Sequence, residues 1–270
     1  MASLTEGAGV YSIDAEESLG LAMSDAGGQK VFLSAEWKHL ILVNYAVDAE
    51  LLAEHLPPGC EPDCLDGKSF VSLVAFDFLN TKVKGVKWPG FVNFPEINLR
   101  AYVRCGDRRG VVFVRELVPS RIVAAVARWL YNEPYARAKM RSEVLRDESS
   151  IHVEHNFTVA GKDHRIVVIA DREPKPCSIN DTAHFFKEHE HGFGQSRSGQ
   201  RVHYRVAHPI WKIFDVSSHQ IAVDFGSIYG RKWSLLSTQE PVSVLLAEGS
   251  SIQVYPATKS NHLTEIIPGV

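Results

Sequence analysis

Short β-rich runs separated by turn residues constrain this chain most strongly. The clearest is Ser69–Leu79, where both alternating faces are mostly apolar, as in a strand buried on both sides. Further runs of this kind are Leu40–Val47, Phe94–Arg104, Gly110–Val118, Ile151–Val159, His164–Ala170, Arg201–Val206, Gln220–Phe225, Val242–Ala247 and Ile252–Tyr255. About ten strands that do not alternate with long helices predict a mainly β, α+β fold of antiparallel pairs.

Turn and cap residues predict how these strands are connected. Gly106–Arg109, Gly161 and Glu248–Ser250 each predict a hairpin between the runs on either side. A few short helices are expected at Ala49–His55, Ser120–Leu130 and Ser178–Lys187, each preceded or opened by a capping residue.

The composition is that of one globular domain. The chain has 270 residues, of which 45% are hydrophobic and 23% charged. Residues 31–270 are predicted to form a single domain, and residues 1–30, rich in small and acidic residues, a flexible N-terminal tail. A net charge of -3 without a basic run argues against nucleic-acid binding. Strand-sized apolar runs and the lack of a signal segment predict a cytoplasmic protein without a membrane span; a homo-oligomer is left open.

Cofactor and metal signatures are absent from the sequence. No Gly-rich nucleotide-binding motif follows a strand, so no cofactor is predicted. Cys60, Cys64, Cys105 and Cys177 lack the spacing of a zinc site, which favours reduced thiols.

A histidine-rich segment at 184–191 leaves a metal-dependent enzyme open as an alternative. Its side chains are of the types that bind zinc or iron, but no H-E-x-x-H pattern orders them. Solvated histidines near a helix end fit the segment as well, and the prediction is that no metal is bound.

One strand carries a polar face. Glu96, Asn98 and Arg100 alternate with Ile97 and Leu99, so the carboxylate, the amide and the guanidinium share one side. If this face lines an interior, it can bind a carboxylate or enolate, with Arg100 as a bidentate anchor. The alternative is a solvated outer face of an antiparallel sheet.

Five further polar residues are candidates for the same site. Arg115 and Glu116 are neighbours on a strand and point to opposite faces; a structural buried pair is the alternative. Tyr131 and Tyr135 flank a proline where a helix ends, a junction that can supply a phenol for acid catalysis or simply pack. His208, before a proline, is expected at the rim of a pocket or in a structural role.

Several motifs carry a resemblance to a known family. They are Asn44–Asp48, Leu56–Gly59, Asp66–Leu73, Asn93–Tyr102, Gly110–Glu116, Leu130–Tyr135, Phe186–His189, Tyr204–Trp211 and Ala247–Ser250. In these segments the chain resembles the acetoacetate decarboxylase superfamily, and more narrowly its uncharacterised YqjF-like branch. The resemblance implies a closed, cone-like antiparallel β-barrel with a few short helices and a central pocket.

The resemblance also indicates what this chain lacks. In the decarboxylases a lysine after the helix forms an imine with a β-keto acid, whereas here Tyr135 or a neighbour stands at that position and Lys139 follows four residues later. A phenol cannot form an imine. Glu96 matches a pocket glutamate of the family.

These observations predict a small-molecule enzyme that acts on a carbonyl or carboxylate compound by acid/base chemistry without a Schiff-base lysine. Its predicted catalytic residues are Glu96, Tyr135 and Arg115. Its predicted substrate-binding residues are Arg100, Asn98, Tyr131, Glu116 and His208. A non-catalytic small-molecule-binding barrel is the other alternative, since a fold alone does not decide function.

Overall fold

A computed structural model describes residues 30–120 and 134–260. The strands are β1 Leu33–Val47, β2 Glu61–Pro62, β3 Ser69–Val83, β4 Phe94–Cys105, β5 Arg108–Val118, β6 Tyr135–Arg137, β7 Lys139–Arg146, β8 Ser150–Val159, β9 Lys162–Asp171, β10 His191–Gln195, β11 Arg201–Ala207, β12 Ile213–Phe214, β13 Val216–Ala222, β14 Ser243–Val254 and β15 Thr258–Ser260. The helical segments are Ala49–His55 and Arg231–Ser237 (3-10) and Thr182–Lys187 and Phe225–Tyr229 (α). Two predictions fall outside the described residues. They are the helix at 120–130, except for its first residue, and the N-terminal tail up to residue 29.

The fold is mainly β, as the sequence predicts, and its strands form two sheets. The larger, eleven-stranded sheet runs in the order β12-β14-β1-β3-β4-β5-β10-β11-β15, with β2 on β4 and β6 on β5. In addition, β11 pairs with β14. The smaller sheet has the antiparallel order β13-β9-β8-β7. No helix in the described part of the chain is long and apolar enough to cross a membrane.

Both faces of the central strands are buried, which explains their nearly continuous apolar sequence. On one face, Leu73 and Ile97 belong to a core that includes residues of the smaller sheet and of the segment 223–236. On the other face, Val74 and Phe76 belong to a second core with the helix Thr182–Lys187. The candidate site lies on this second face.

The predicted hairpin at Glu248–Ser250 is wrong, because β14 runs through it as one strand. Gly249 has φ +77° and lies opposite Lys38 of β1, and the register between β14 and β1 is the same on both sides of it. A β-carbon at Gly249 would overlap the Trp37 carbonyl oxygen, so the glycine allows the two strand backbones to approach closely instead of forming a turn.

The strand predicted at Gln220–Phe225 also ends earlier than expected. The strand stops at Ala222, and a short helix begins at Phe225. The Asp224 side chain accepts a hydrogen bond from the Ser227 amide at 3.0 Å, which caps this helix.

Two of the four cysteines are joined, against the expectation of reduced thiols. Cys60 and Cys105 form a disulfide across 45 residues. They meet because β2 pairs with the end of β4, with Glu61 opposite Arg104. The spacing along the sequence could not reveal this pairing.

His155, on β8, is expected to make the protein less stable in mild acid. Neither ring nitrogen has a hydrogen-bond partner among the described residues, and burial lowers its pKa from 6.5 to about 4, with the nearby Asp77 and His39 acting in opposite directions. The unfolded chain therefore takes up this proton at higher pH than the folded one. The stabilisation is complete above pH 6.5 and is lost as the pH falls towards 4, at about 1.4 kcal/mol per pKa unit.

Unfolding in urea at pH 7 and at about pH 4.5 tests this expectation. We expect His155→Gln to lose about 2 kcal/mol less than the wild type over this interval, because the amide does not titrate. His219→Gln, at an exposed position on β13, is the control. An unchanged pH dependence in His155→Gln would contradict the assignment.

Candidate functional site

The polar face of β4 lines a cavity within the second core. Glu96, Asn98 and Arg100 all border this cavity, and the first two are 4% and 2% exposed. Ile97 and Leu99 are buried on the opposite face. The alternative of a solvated outer face is therefore wrong, since Glu96 and Asn98 are buried.

Hydrogen bonds hold this face in place. Asn98 Nδ2 donates to Glu96 Oε1 at 3.1 Å, and Arg100 Nη2 donates to the Phe186 carbonyl oxygen at 2.9 Å. Asn98 Oδ1 and Arg100 Nε are buried and have no hydrogen-bond partner in the described part of the chain. An amide acceptor and a guanidinium donor are thus available to a ligand.

Neighbouring strands bring two more predicted residues to the cavity. Glu116 of β5 lies opposite Asn98 of β4 on one side and opposite Tyr135 of β6 on the other, and Glu116 and Tyr135 both border the cavity. Arg115 points to the other face, as the alternation of a strand requires, and donates to the Ile228 carbonyl oxygen. Arg115 therefore does not join the cavity.

Lys187, the last residue of the helix Thr182–Lys187, enters the cavity without having been predicted. Its side chain is 0% exposed and forms an ion pair with Glu188 Oε1. The same oxygen accepts a hydrogen bond from the Trp211 amide at 3.1 Å. In the sequence, the two phenylalanines before this lysine suggest a buried helix end. They do not indicate on which side of the helix the lysine side chain lies.

His189 borders the same end of the cavity. Both of its ring nitrogens are buried and have no hydrogen-bond partner among residues 30–120 and 134–260. Burial, followed by the nearby cations Arg100 and Arg109, holds the pKa of His189 well below its usual value. The ring is therefore neutral at pH 7 and offers one donor and one acceptor.

His208 contacts Trp211 and Glu188 next to the site. Its ring stacks on Trp211 at a centroid distance of 4.1 Å, and its Nδ1 lies 3.9 Å from Glu188 Oε2. Neither His208 nor Glu188 borders the cavity, so His208 is connected to the site only through Glu188 and the ion pair of Glu188 with Lys187. Tyr131, also predicted to bind substrate, lies outside the described residues.

The histidine-rich segment does not form a cluster of metal ligands in the part of the chain that the structure describes. His189 and His191 both border the cavity, but His191 Nδ1 lies within hydrogen-bond distance of His203 Nε2, at 3.0 Å. The metal-dependent alternative therefore gains no support from the described geometry.

Aromatic and aliphatic side chains form most of the remaining wall of the cavity, which has a volume of about 150 Å³. The aromatic rings nearest the start of β4 are Trp37, Phe76, Phe78, Phe91 and Phe94, and Trp211 and Tyr204 contribute from later segments. The cavity is thus a small apolar space with a few polar groups, as is usual for a small-molecule site.

Sequence comparison connects the chain to one family. The model of DUF2071, described as an uncharacterized conserved protein (COG2071), matches residues 34–251. The uncharacterized protein YqjF of Bacillus subtilis (strain 168) is 30% identical over 108 residues, which are 40% of this chain and 45% of YqjF. The match thus spans less than half the length of this curated relative.

Solved structures share the fold. An acetoacetate decarboxylase-like enzyme from Sphingomonas wittichii RW1 has a TM-score of 0.60 over 86% of this chain and 94% of its own, at 13% identity. The enduracididine biosynthesis enzyme MppR, in complex with pyruvate, has a TM-score of 0.61 over 88% and 93%, also at 13% identity. The fold is therefore acetoacetate decarboxylase-like, and the chain belongs to the DUF2071 family.

Proposed function

We propose that this chain is an enzyme that acts on a small carbonyl or carboxylate compound by acid/base chemistry without an imine-forming lysine. One observation carries the proposal: Glu96, Asn98, Arg100, Glu116 and Tyr135 border one cavity in an acetoacetate decarboxylase-like fold. A carboxylate, an amide, a guanidinium and a phenol at one cavity are a set that can bind and protonate an enolate.

We also propose that residues 31–270 form one domain and that its larger sheet closes into a barrel. The family match over residues 34–251 supports the single domain. The pairing of β11 with β10 on one side and with β14 on the other supports closure.

Each residue at the cavity has a role in this proposal. Glu96 removes a proton from the carbon beside the carbonyl and returns it. Arg100 binds the carboxylate of the substrate. Asn98 and Tyr135 orient the carbonyl oxygen, and Glu116 orients Tyr135, which lies opposite it in the strand pair. Arg115, on the other face, has no part.

In this proposal, no lysine of the described residues forms an imine with the substrate. Tyr135 or a neighbour, at the position of the family's lysine, is not a lysine, and Lys139 is exposed on β7. Lys187 reaches the cavity, but its ammonium group is in contact with the Glu188 carboxylate. We therefore assign Lys187 a role as a fixed positive charge.

Proton exchange on pyruvate in D₂O, followed by NMR, tests the proposal. We expect the wild type to accelerate loss of the methyl proton signal, and Glu96→Gln to be slower by a factor of at least about 100, because general-base catalysis contributes about 10²–10⁴. Glu50→Gln, the same change at an exposed position, is the matched control and should exchange at the wild-type rate.

Two outcomes would contradict the proposal. If the wild type and Glu96→Gln both exchange no faster than buffer, Glu96 is not a base for such compounds. If borohydride added with pyruvate leaves a stable adduct on Lys187 or Lys139, found by mass spectrometry of peptides, the reaction does use an imine.

A non-catalytic binding barrel is the second candidate function. The aromatic wall of the cavity favours it, because tight binding of an apolar ligand needs no proton transfer. Binding of a ligand without exchange in any substrate would support this reading.

A further inference from the structure

The cavity has an aromatic end, built by strand pairing. Trp37 of β1 lies opposite Phe78 of β3, and Phe78 lies opposite Phe94 of β4. The Phe78 and Phe94 rings are stacked with centroids 4.8 Å apart, and the Trp37 ring lies 5.1 Å from Phe76 and 5.6 Å from Phe78. These rings pack edge to face and offset, the arrangements that aromatic pairs prefer, and their edges and faces border the cavity.

Farther along β4 the same cavity is bordered by the guanidinium of Arg100, and the carboxylates of Glu96, Glu116 and Glu190 also belong to its lining. Arg100 is the third inward-facing residue after Phe94 on β4, following Glu96 and Asn98. Its Nε is buried and has no hydrogen-bond partner among the residues that the structure describes. Lys187 lies at the same cavity. A guanidinium with an open donor at the end of an apolar space suits a single carboxylate.

The size of the cavity limits what can lie between the two ends. A volume of about 150 Å³ is close to that of a cavity known to hold benzene, about 150 Å³. Nucleotides and coenzyme esters are far larger. One ring with a short acidic chain has the size and the polarity that the walls require.

We propose that the ligand of this cavity is a monocarboxylate with a ring-sized apolar group, bound with its carboxylate at Arg100 and its ring against Trp37, Phe78 and Phe94. This inference rests on the proposed function, because it names the substrate class of the same site. It goes beyond a small keto acid by assigning the aromatic end a share in recognition.

Calorimetric titration of the whole chain with three unreactive probes tests the inference. The probes are 3-phenylpropanoate, propanoate, which lacks the ring, and 3-phenylpropanamide, which lacks the charge. We expect 3-phenylpropanoate to bind at least about tenfold more tightly than either of the others, a difference of about 1.4 kcal/mol, because each of the others lacks one of the two contacts.

Variants at each end separate the two contributions. Arg100→Gln should remove the preference for the carboxylate over the amide and keep the preference for the ring. Phe78→Leu should weaken binding of the phenyl probes and leave propanoate unchanged. Arg108→Gln, at an exposed position on β5, is the control for Arg100. The ranking of the probes on the wild type decides even if a variant fails to fold.

The result separates this inference from the proposed function. Tight binding of 3-phenylpropanoate without proton exchange on pyruvate supports the inference and contradicts the proposed acid/base enzyme. Exchange on pyruvate with equal affinity for 3-phenylpropanoate and propanoate keeps the enzyme and overturns the inference. Equal affinity for the carboxylate and the amide, or binding of no probe, also overturns it.

Discussion

Replacing Lys187 by Met is expected to destabilise the protein by about 3–5 kcal/mol, because the change leaves a carboxylate in the core without its counter-ion. The Lys187 side chain is 0% exposed and that of Glu188 is 11% exposed, so water can replace little of the lost interaction. Because methionine fills nearly the same space as lysine, the loss of stability comes from the missing charge and not from a cavity. For a chain of this size the melting temperature should fall on the order of 10 °C.

A lysine on the surface provides the matched control. Lys175 also forms an ion pair, with Asp215, but both side chains are more than half exposed. Lys175→Met should leave the melting temperature unchanged, since exposed pairs are screened by water. In contrast, Glu188→Gln added to Lys187→Met should restore at least half of the lost stability, because it removes the second charge and keeps an oxygen for the Trp211 amide. A Lys187→Met variant as stable as the wild type would contradict the role of this pair.

The polar face of β4 could be predicted from the sequence because it depends on a short-range rule. Side chains alternate along a strand, so Glu96, Asn98 and Arg100 had to share one face. The direction of that face could not be predicted. Here the apolar side, with Ile97 and Leu99, is covered by the core that includes the smaller sheet, and the polar side also points inward, to a cavity.

Lys187 was not predicted, and His189 was considered only as part of a metal-binding segment, because their place at the cavity depends on long-range contacts. They lie nearly ninety residues after Arg100 in the sequence, and the hydrogen bond from Arg100 to the Phe186 carbonyl oxygen joins the two segments. No local period links such positions. The disulfide between Cys60 and Cys105 was missed for the same reason, since it follows from the pairing of β2 with β4.

Local turn chemistry misled the sequence analysis at Gly249 for a different reason. A glycine between polar residues favours positive φ, and both a hairpin turn and a close approach of two strands can use that conformation. Only the partner strand distinguishes them. In this protein β14 pairs with β1 in an unbroken register on both sides of Gly249, and nothing in residues 248–250 indicates that pairing.

Gly249→Ala is therefore expected to be among the most damaging small substitutions in the protein. A β-carbon at this position would overlap the Trp37 carbonyl oxygen of β1 and crowd the Leu40 side chain. The positive φ of +77° adds strain of about 1–2 kcal/mol for any residue with a side chain. With the overlap, which costs roughly 1–3 kcal/mol in a packed core, the loss should reach about 2–5 kcal/mol.

Gly67→Ala isolates the effect of the overlap from that of the backbone conformation. Gly67 has a similar φ of +73°, but a β-carbon there would have no heavy atom within 4 Å beyond its neighbours in the chain. Urea unfolding followed by circular dichroism should therefore show a loss of only about 1–2 kcal/mol for Gly67→Ala and a clearly larger loss for Gly249→Ala. Equal losses would mean that β14 and β1 do not approach closely at Gly249, as in the hairpin that the sequence suggested. A larger loss at Gly249 would support a continuous β14 that lies close to β1. The same β1 pairs with β3, and β3 with β4, which brings Trp37, Phe78 and Phe94 together at the cavity.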